Sequence, residues 1–185
     1  MATLDHLVVA ARDLARGARW LEDRLGAPLA PGGVHAAMGT HNRLLKLAGG
    51  ERLYLELIAI DPAAPPPGRP RWFGLDDPML QARLAERPRL IHWVARSDDL
   101  TSEATPAHGD ILSMQRGDFR WRITVPADGR LPGAGRLPTL IQWDVPFHPA
   151  DRLPDAGCAR VAFETTESPD LVAILHTPHG RVVID

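Results

Sequence analysis

Hydrophobic and polar positions alternate from the start of the chain. Residues 3–10 follow this alternation, which predicts a strand with one face against the core. From Leu14 to Gly26, apolar residues recur at helical spacing, and Asp13 stands where it can cap the helix. Each of the next three apolar segments predicts a further strand: 34–39, 42–48 and 51–60. The first third of the chain is therefore predicted to form a strand, a helix and three more strands.

The same order of elements recurs 86 positions later. LDHLVVAARDL at 4–14 aligns without gaps with LIHWVARSDDL at 90–100, so that His6 matches His92. At this offset Glu56 matches Gln142, and each histidine precedes its partner by 50 positions. The elements predicted in the second half are a short helix at 98–105 and strands at 90–96, 110–116, 119–125 and 138–145. The repeat predicts two tandem β-α-β-β-β modules.

Proline-rich sequence separates the two modules. The segment DPAAPPPGRP at 61–70 predicts an extended linker, and a short helix is predicted within 76–88. The predicted organisation is one domain at 1–150, made of module one at 1–61, the linker at 62–88 and module two at 89–150. Residues 151–185 are predicted to be a C-terminal extension packed on the same domain, with strands at 160–166 and 181–185.

Composition narrows the classes of partner. The chain has 185 residues and a net charge of −2, and all but one of its 21 basic residues are dispersed arginines, the exception being Lys46. This charge distribution predicts neither a nucleic-acid nor a membrane partner, and the arginine bias is typical of a GC-rich bacterial genome. Cys158 is the single cysteine, so no internal disulfide is expected. The N-terminal segment has no secretory pattern, and a cytoplasmic protein is expected.

The repeat singles out four polar positions: His6, Glu56, His92 and Gln142. A carboxylate in a strand as apolar as YLELI must be paired, protonated or bound to a cation. Two imidazoles and a carboxylate suit a divalent metal such as Zn, Fe, Mn, Co or Ni, and Gln142 can add a neutral oxygen. The alternatives are that the histidines are hydrogen-bonded core residues and that Glu56 pairs with an arginine.

A second cluster lies in GGVHAAMGTHNRLL at 32–45. Its polar members His35, Thr40 and Asn42 can contact a substrate in a pocket, and the alternative is a glycine-bent hairpin whose polar residues satisfy its turns. Asp144 lies two residues after Gln142, on the same predicted face, and is a further candidate substrate contact. No serine or cysteine has the surroundings of an activated nucleophile, so a hydrolase triad is unsupported.

Three segments resemble the vicinal-oxygen-chelate superfamily, and within it the glyoxalase-like domain proteins. They are D-H-x-V-x(4)-D-L at 5–14, G-G-x-H-x(3)-G-T-x-N-x-L at 32–44 and Y-L-E-L-I at 54–58, with an echo of the pattern at 137–149. The resemblance covers roughly residues 3–150. It implies an α+β fold in which the two modules form an open, eight-stranded, barrel-like cleft, with the C-terminal extension outside it.

In this superfamily a divalent metal often lies in the cleft and acts as a Lewis acid on vicinal substrate oxygens. The ligand positions carried over are His6, Glu56, His92 and Gln142. The chain departs from the isomerases of the superfamily at Gln142, where a carboxylate commonly doubles as the base. This departure leaves Glu56 or Asp144 as the candidate base.

Three functions follow as hypotheses. The first is a metal-dependent lyase or isomerase acting on a small oxygenated metabolite, with Glu56 catalytic. The second is a metal-free protein that binds or sequesters a small ligand in the same cleft. The third is a non-haem iron oxygenase, because two histidines and one carboxylate also form its metal site. A homodimer and a thiol cofactor stay open alternatives.

Overall fold

The computed structural model describes residues 2–48, 52–165 and 171–185. The strands of module one are β1 (Thr3–Ala10), β2 (Ala30–His35), β3 (Thr40–Leu47) and β4 (Leu53–Ile60). Those of module two are β5 (Arg89–Arg96), β6 (Asp110–Arg116), β7 (Phe119–Val125) and β8 (Thr139–Trp143). The remaining strands are β9 (Ala159–Thr165), β10 (Leu171–Thr177) and β11 (Gly180–Ile184). The helices are α1 (Leu14–Leu25), α2 (Pro78–Glu86), α3 (Leu100–Glu103) and α4 (Pro149–Arg152).

The two modules join edge to edge in one curled sheet. Its strand order is β2-β3-β4-β1-β5-β8-β7-β6, and a separate sheet has the order β11-β10-β9. The first and last strands of each module pair in parallel, and the antiparallel pair β1–β5 joins the modules. The two edge strands, β2 and β6, approach each other across the open side. The predicted α+β class and eight-stranded half-barrel are confirmed.

The convex face of the curled sheet carries the larger core. Leu7, Leu55 and Leu57 point to this face, where Leu21 and Leu25 of α1 cover them. Side chains of β10 and β11 extend the same core, so the small sheet packs against the convex side. Burial of about 1.5–3 kcal/mol per large aliphatic side chain makes this core the main source of stability. Among the described helices, none has the length and apolarity needed to cross a membrane.

The concave face is covered by the segment between the modules. Trp72, Phe73 and Leu75 are buried there against Val8 and Ile141 of the sheet. Phe73 adopts a left-handed backbone conformation with φ of 58°, followed by Gly74 with φ of 66°. The prediction of an extended linker accounts for residues 61–70. It missed that the chain then turns back over the cleft.

Several strand boundaries differ from the sequence prediction. The second strand ends at His35, because a 3-10 turn at Ala36–Met38 follows and ends at Gly39 in a left-handed conformation with φ of 57°. The last strand of module two ends at Trp143 rather than residue 145. The segment between the last two predicted strands, which the sequence left unassigned, contains β10.

Gly17 of α1 packs closely on the convex face of the sheet. A Cβ at this position would overlap Cβ of Ala11 and contact Leu57. Gly17→Ala is therefore expected to destabilise the protein by about 1–3 kcal/mol through overpacking, although alanine is the better helix former by about 1 kcal/mol. Urea denaturation measures the change. A stabilised Gly17→Ala variant would contradict this packing.

Candidate active site

A β-bulge brings two neighbouring side chains of β1 to the same region. The pairing of β1 with β5 shifts between Leu4 and His6, leaving Asp5 as the extra residue. Neighbouring residues of a regular strand face opposite ways, and a bulge relaxes that rule. Asp5 and His6 are both buried, and Asp5 Oδ1 accepts a hydrogen bond from His6 Nδ1 at 2.7 Å. The bond fixes the imidazole with its other nitrogen, Nε2, free to face the concave side.

Asp5 is fully buried and accepts several hydrogen bonds. Besides His6, its donors are His148 Nε2 at 3.0 Å, Trp143 Nε1 at 3.1 Å and Arg96 at 3.4 Å. Burial alone would raise the pKa of Asp5, but hydrogen bonds from His148 and His6 hold that pKa well below its ordinary value. Asp5 is therefore a buried carboxylate anion that orients His6.

His6 faces Glu56 inside the curled sheet. Glu56 lies on the concave face of β4, and its Oε2 is 3.7 Å from His6 Nε2. Its other oxygen, Oε1, accepts a hydrogen bond of 2.5 Å from Asn42 Nδ2. Tyr54 stacks on the His6 ring with centroids 4.5 Å apart. Each member of the His6–Glu56 pair is thus held by a second side chain, and the pair lines a cavity of about 30 Å³.

The hydrogen-bond network continues from Asn42 to the edge of the sheet. Arg116 of β6 donates to Asn42 Oδ1 at 3.1 Å and to His35 Nε2 at 3.3 Å. His35 Nδ1 lies 3.1 Å from the Thr40 hydroxyl. Burial first, and Arg116 second, lower the pKa of His35 to about 3. The structure therefore gathers His35, Thr40 and Asn42 into one network beside Glu56, and their role as substrate contacts stays a prediction.

His92 occupies the position in module two that His6 occupies in module one. It is fully buried, and its Nε2 accepts the backbone N–H of Thr139 at 3.1 Å. Among the described residues, its Nδ1 has no hydrogen-bond partner. Burial, followed by the charge of His6, lowers the pKa of His92 to about 3. His92 is accordingly a neutral ring whose available lone pair is already used.

The structure corrects the predicted places of Gln142 and Asp144. Gln142 Oε1 accepts the backbone N–H of Leu100, away from the cavity. Asp144 is exposed and makes a bidentate ion pair with Arg122. The reason is the register of β8: Val8 pairs with Glu56 in module one, whereas Val94 pairs with Thr139 in module two. The counterpart of Glu56 is therefore Thr139, and a slip of three residues moves Gln142 to the opposite face.

These side chains do not fit the predicted four-ligand metal site. Of its members, only His6 and Glu56 face each other, because Nε2 of His92 is engaged by Thr139 and Gln142 lies elsewhere. The cavity wall of β8 is apolar, formed by Ile141 and Trp143. Within the described ranges, no group of three or more His, Cys, Asp and Glu is arranged to hold a metal ion.

The two buried neutral histidines predict an acid-sensitive fold. An unfolded chain protonates each ring near pH 6.5, whereas His35 and His92 resist protonation down to about pH 3 in the folded state. Their contribution to stability is complete above pH 6.5 and decreases as the pH falls towards 3. Together they are expected to lower the free energy of unfolding by roughly 3 kcal/mol as the pH falls from 6.5 to 5.

Urea denaturation across this pH range measures the loss. Replacing both rings, in His35→Gln/His92→Leu, should flatten the profile, whereas His176→Gln at an exposed position should leave it unchanged. Equal stability of the unsubstituted protein at pH 7 and pH 5 would rule out the buried neutral rings.

Several residues of this site were not singled out from the sequence. Asp5 has a local signal, since it is an acidic residue inside an apolar strand beside a histidine. Arg116 reaches the site only because β2 and β6 approach across the open side, and a single sequence carries no signal of that approach. His148 contacts Asp5 of β1, and Thr139 contacts His92 of β5. Both contacts join residues far apart in the sequence, so a single sequence carries no signal of them either.

Two further cavities adjoin this region. A groove of about 570 Å³ shares Arg116 with the inner cavity and is otherwise lined by residues such as Leu44, Phe119 and Leu153. A cavity of about 670 Å³ shares Phe73 with it. Arg116 and Phe73 therefore each line both the inner cavity and one of the larger spaces.

Several solved structures are similar to this chain at low sequence identity. A hypothetical protein from Staphylococcus aureus is 13% identical, covers 99% of this chain and 84% of its own, and has a TM-score of 0.55. Methylmalonyl-CoA epimerase from Mycobacterium tuberculosis is 20% identical over 76% of this chain and 86% of its own, with a TM-score of 0.45. The Streptomyces coelicolor epimerase in complex with 2-nitronate-propionyl-CoA is 19% identical over 78% and 97%, with a TM-score of 0.46.

A search of curated proteins finds no match. The profile of the glyoxalase-like domain family matches residues 4–178. The match continues past residue 150, where the predicted domain ends, and includes β9 and β10. The chain belongs to the glyoxalase-like domain family of the vicinal-oxygen-chelate superfamily, as its sequence motifs predicted.

Proposed function

We propose that this protein is an isomerase-type enzyme that moves a proton on a small oxygenated metabolite, at a carbon next to a carbonyl group. The observation that carries the proposal is the His6–Glu56 pair. Its two facing atoms are 3.7 Å apart in a buried cavity, and each partner is fixed by a further side chain. Paired acid and base groups at one carbon centre are what a proton-transfer isomerisation requires.

Glu56 is the proposed base. Its Oε2 removes the proton from the carbon next to the carbonyl, and the electron pair of the broken C–H bond forms the carbon–carbon double bond of an enol. Asn42 holds Oε1 by a short hydrogen bond, so Oε2 is the oxygen left to react. Orientation of this kind places the base within reach of the proton without a search for its conformation.

His6 is the proposed acid. As the enol forms, the carbonyl oxygen takes the proton of His6 Nε2, while Nδ1–H stays bonded to Asp5. For an α-hydroxy carbonyl substrate, Glu56 then returns its proton to the former carbonyl carbon, and His6 removes the proton of the neighbouring hydroxyl. The two groups finish in their starting protonation states, and the carbonyl has moved by one carbon.

Exchange of carbon-bound protons with solvent tests the proposal. The protein is incubated in D₂O with a panel of small α-hydroxy aldehydes, α-hydroxy ketones and 2-oxo acids, and deuterium entering next to the carbonyl is followed by NMR. Exchange of at least one compound faster than with heat-denatured protein is the expected result. Tight binding of a panel compound without exchange would instead favour the ligand-sequestering alternative.

A further inference from the structure

The groove beside the inner cavity contains two arginines in different electrostatic situations. Arg152 makes a bidentate ion pair with Asp118, at 2.9 and 2.6 Å. Arg116 donates only to neutral acceptors, the amide oxygen of Asn42 and the ring nitrogen of His35, and its charge lies 6.0 Å from the Phe119 ring. Among the described residues, no carboxylate lies within ion-pair distance of Arg116.

Arg116, whose charge has no carboxylate partner among the described residues, lies where the groove meets the inner cavity. Arg116 lines both the groove of about 570 Å³ and the inner cavity of about 30 Å³. A cavity of 30 Å³ holds about one water molecule, so a substrate must also occupy a larger neighbouring space, and the groove is the one that adjoins the inner cavity at Arg116. The side chain crosses directly over Gly33, where a Cβ would overlap its Cδ. The glycine thus leaves room for an arginine at the boundary.

The remaining lining of the groove is apolar. Leu29 and Leu44 form part of one wall, Phe119 and Leu153 contribute to the rest, and four prolines complete it. Binding of a hydrocarbon chain against such a surface is favourable, because it removes apolar area from water. By contrast, the 670 Å³ cavity beyond Phe73 contains Arg89 and Arg130, which are paired with Glu86 and Asp128.

We infer that the ligand of this site is an aliphatic carboxylate, whose carboxylate pairs with Arg116 and whose hydrocarbon chain lies along the groove. A guanidinium presents two parallel N–H groups that match a carboxylate. The carboxylate replaces the neutral acceptors Asn42 and His35, and brings the neighbouring carbons close to Glu56, which Asn42 touches. The inference names the substrate class of the proposed isomerase and so rests on that function for its catalytic meaning.

Binding of matched acids and amides tests the inference without turnover. Butanoate, hexanoate and octanoate, each with its primary amide, are titrated against the Glu56→Gln protein, following the fluorescence of Trp121 and Trp143 in the cavity wall. Each acid is expected to bind about tenfold to a hundredfold more tightly than its amide, and affinity should rise from butanoate to hexanoate. Equal affinity of acid and amide, or no binding of any acid, would overturn the inference.

Substitution of the arginine localises the preference. Arg116→Gln should abolish the difference between acid and amide, and Arg116→Lys should keep part of it. Arg122→Gln, which removes a paired arginine from the outer side of β7, is the matched control and should keep the full difference. An unchanged preference in Arg116→Gln would place the carboxylate elsewhere.

Failure of this inference can be told apart from failure of the proposed function. Acid binding that depends on Arg116, without proton exchange by the unsubstituted protein, leaves the inference standing and removes the isomerase. Proton exchange on neutral hydroxy ketones, without tighter binding of acids than of amides, leaves the isomerase standing and removes the inference.

Discussion

Asp5→Ala is expected to lower the free energy of unfolding by about 3–5 kcal/mol, a large part of the 5–15 kcal/mol typical of a domain. The substitution removes the acceptor shared by His6, His148 and the Trp143 indole, and leaves their buried N–H groups unpaired. Buried donors without acceptors lose their hydration and gain nothing in return. Chemical denaturation at pH 7.5 measures the difference.

Asp144→Ala is the matched control. Asp144 also pairs with an arginine, but on the exposed side of the sheet. Its loss should change the free energy of unfolding by less than about 1 kcal/mol. If the two alanine substitutions cost the same, Asp5 does not organise the site as described.

Glu56→Gln is expected to reduce the rate of solvent proton exchange by about 10²–10⁴-fold. Glutamine keeps the size and can still accept the hydrogen bond of Asn42, but it cannot take the substrate proton. Deuterium incorporation under saturating substrate isolates this loss, because binding contributes little to the rate there.

Glu86→Gln provides the comparison for this substitution. Glu86 pairs with Arg89 at the surface, far along the chain from the pair in the cavity. The exchange rate of this variant should stay within about twofold of the unsubstituted protein. A Glu56→Gln protein that is folded and exchanges at the original rate would remove Glu56 from the chemistry.

Much of the fold could be predicted because local patterns determine it. The hairpin β6–β7 has the predicted bounds, since a Gly-Asp turn separates two segments of suitable length. Asp13 does cap α1, where its side chain accepts the backbone N–H of Arg16. The two faces of β4 also follow from local alternation, since Leu53, Leu55 and Leu57 lie in the larger core and Tyr54 and Glu56 line the site.

The register of β8 could not be predicted in the same way. Equal spacing of 50 positions in the two modules suggested that Gln142 corresponds to Glu56, but strand pairing, not spacing, decides which residues face each other. The connection from β7 to β8 contains a tight turn at Pro132–Gly135 that module one does not share. Three residues of difference reverse the face, so Ile141 and Trp143 replace the predicted polar contact.

The two modules nevertheless keep a common arrangement around their first strands. His6 faces the carboxylate of Glu56, and His92 contacts the hydroxyl of Thr139 at 3.1 Å. The second histidine lies beside a hydroxyl instead of a carboxylate, and it is a neutral, buried ring. Only the first module retains the pair of groups needed to move a proton, which explains why one half of a symmetric fold carries the proposed chemistry.

The central claim is that the His6–Glu56 pair, and not the four repeat positions together, forms the reacting centre. Deuterium exchange measured side by side for Glu56→Gln and Gln142→Ala tests it most directly. The account predicts a loss of at least about 100-fold for Glu56→Gln and a rate within about twofold of the original for Gln142→Ala. A comparable loss in both variants would contradict it, because Gln142, whose side chain accepts the backbone N–H of Leu100 away from the cavity, would then take part in the reaction.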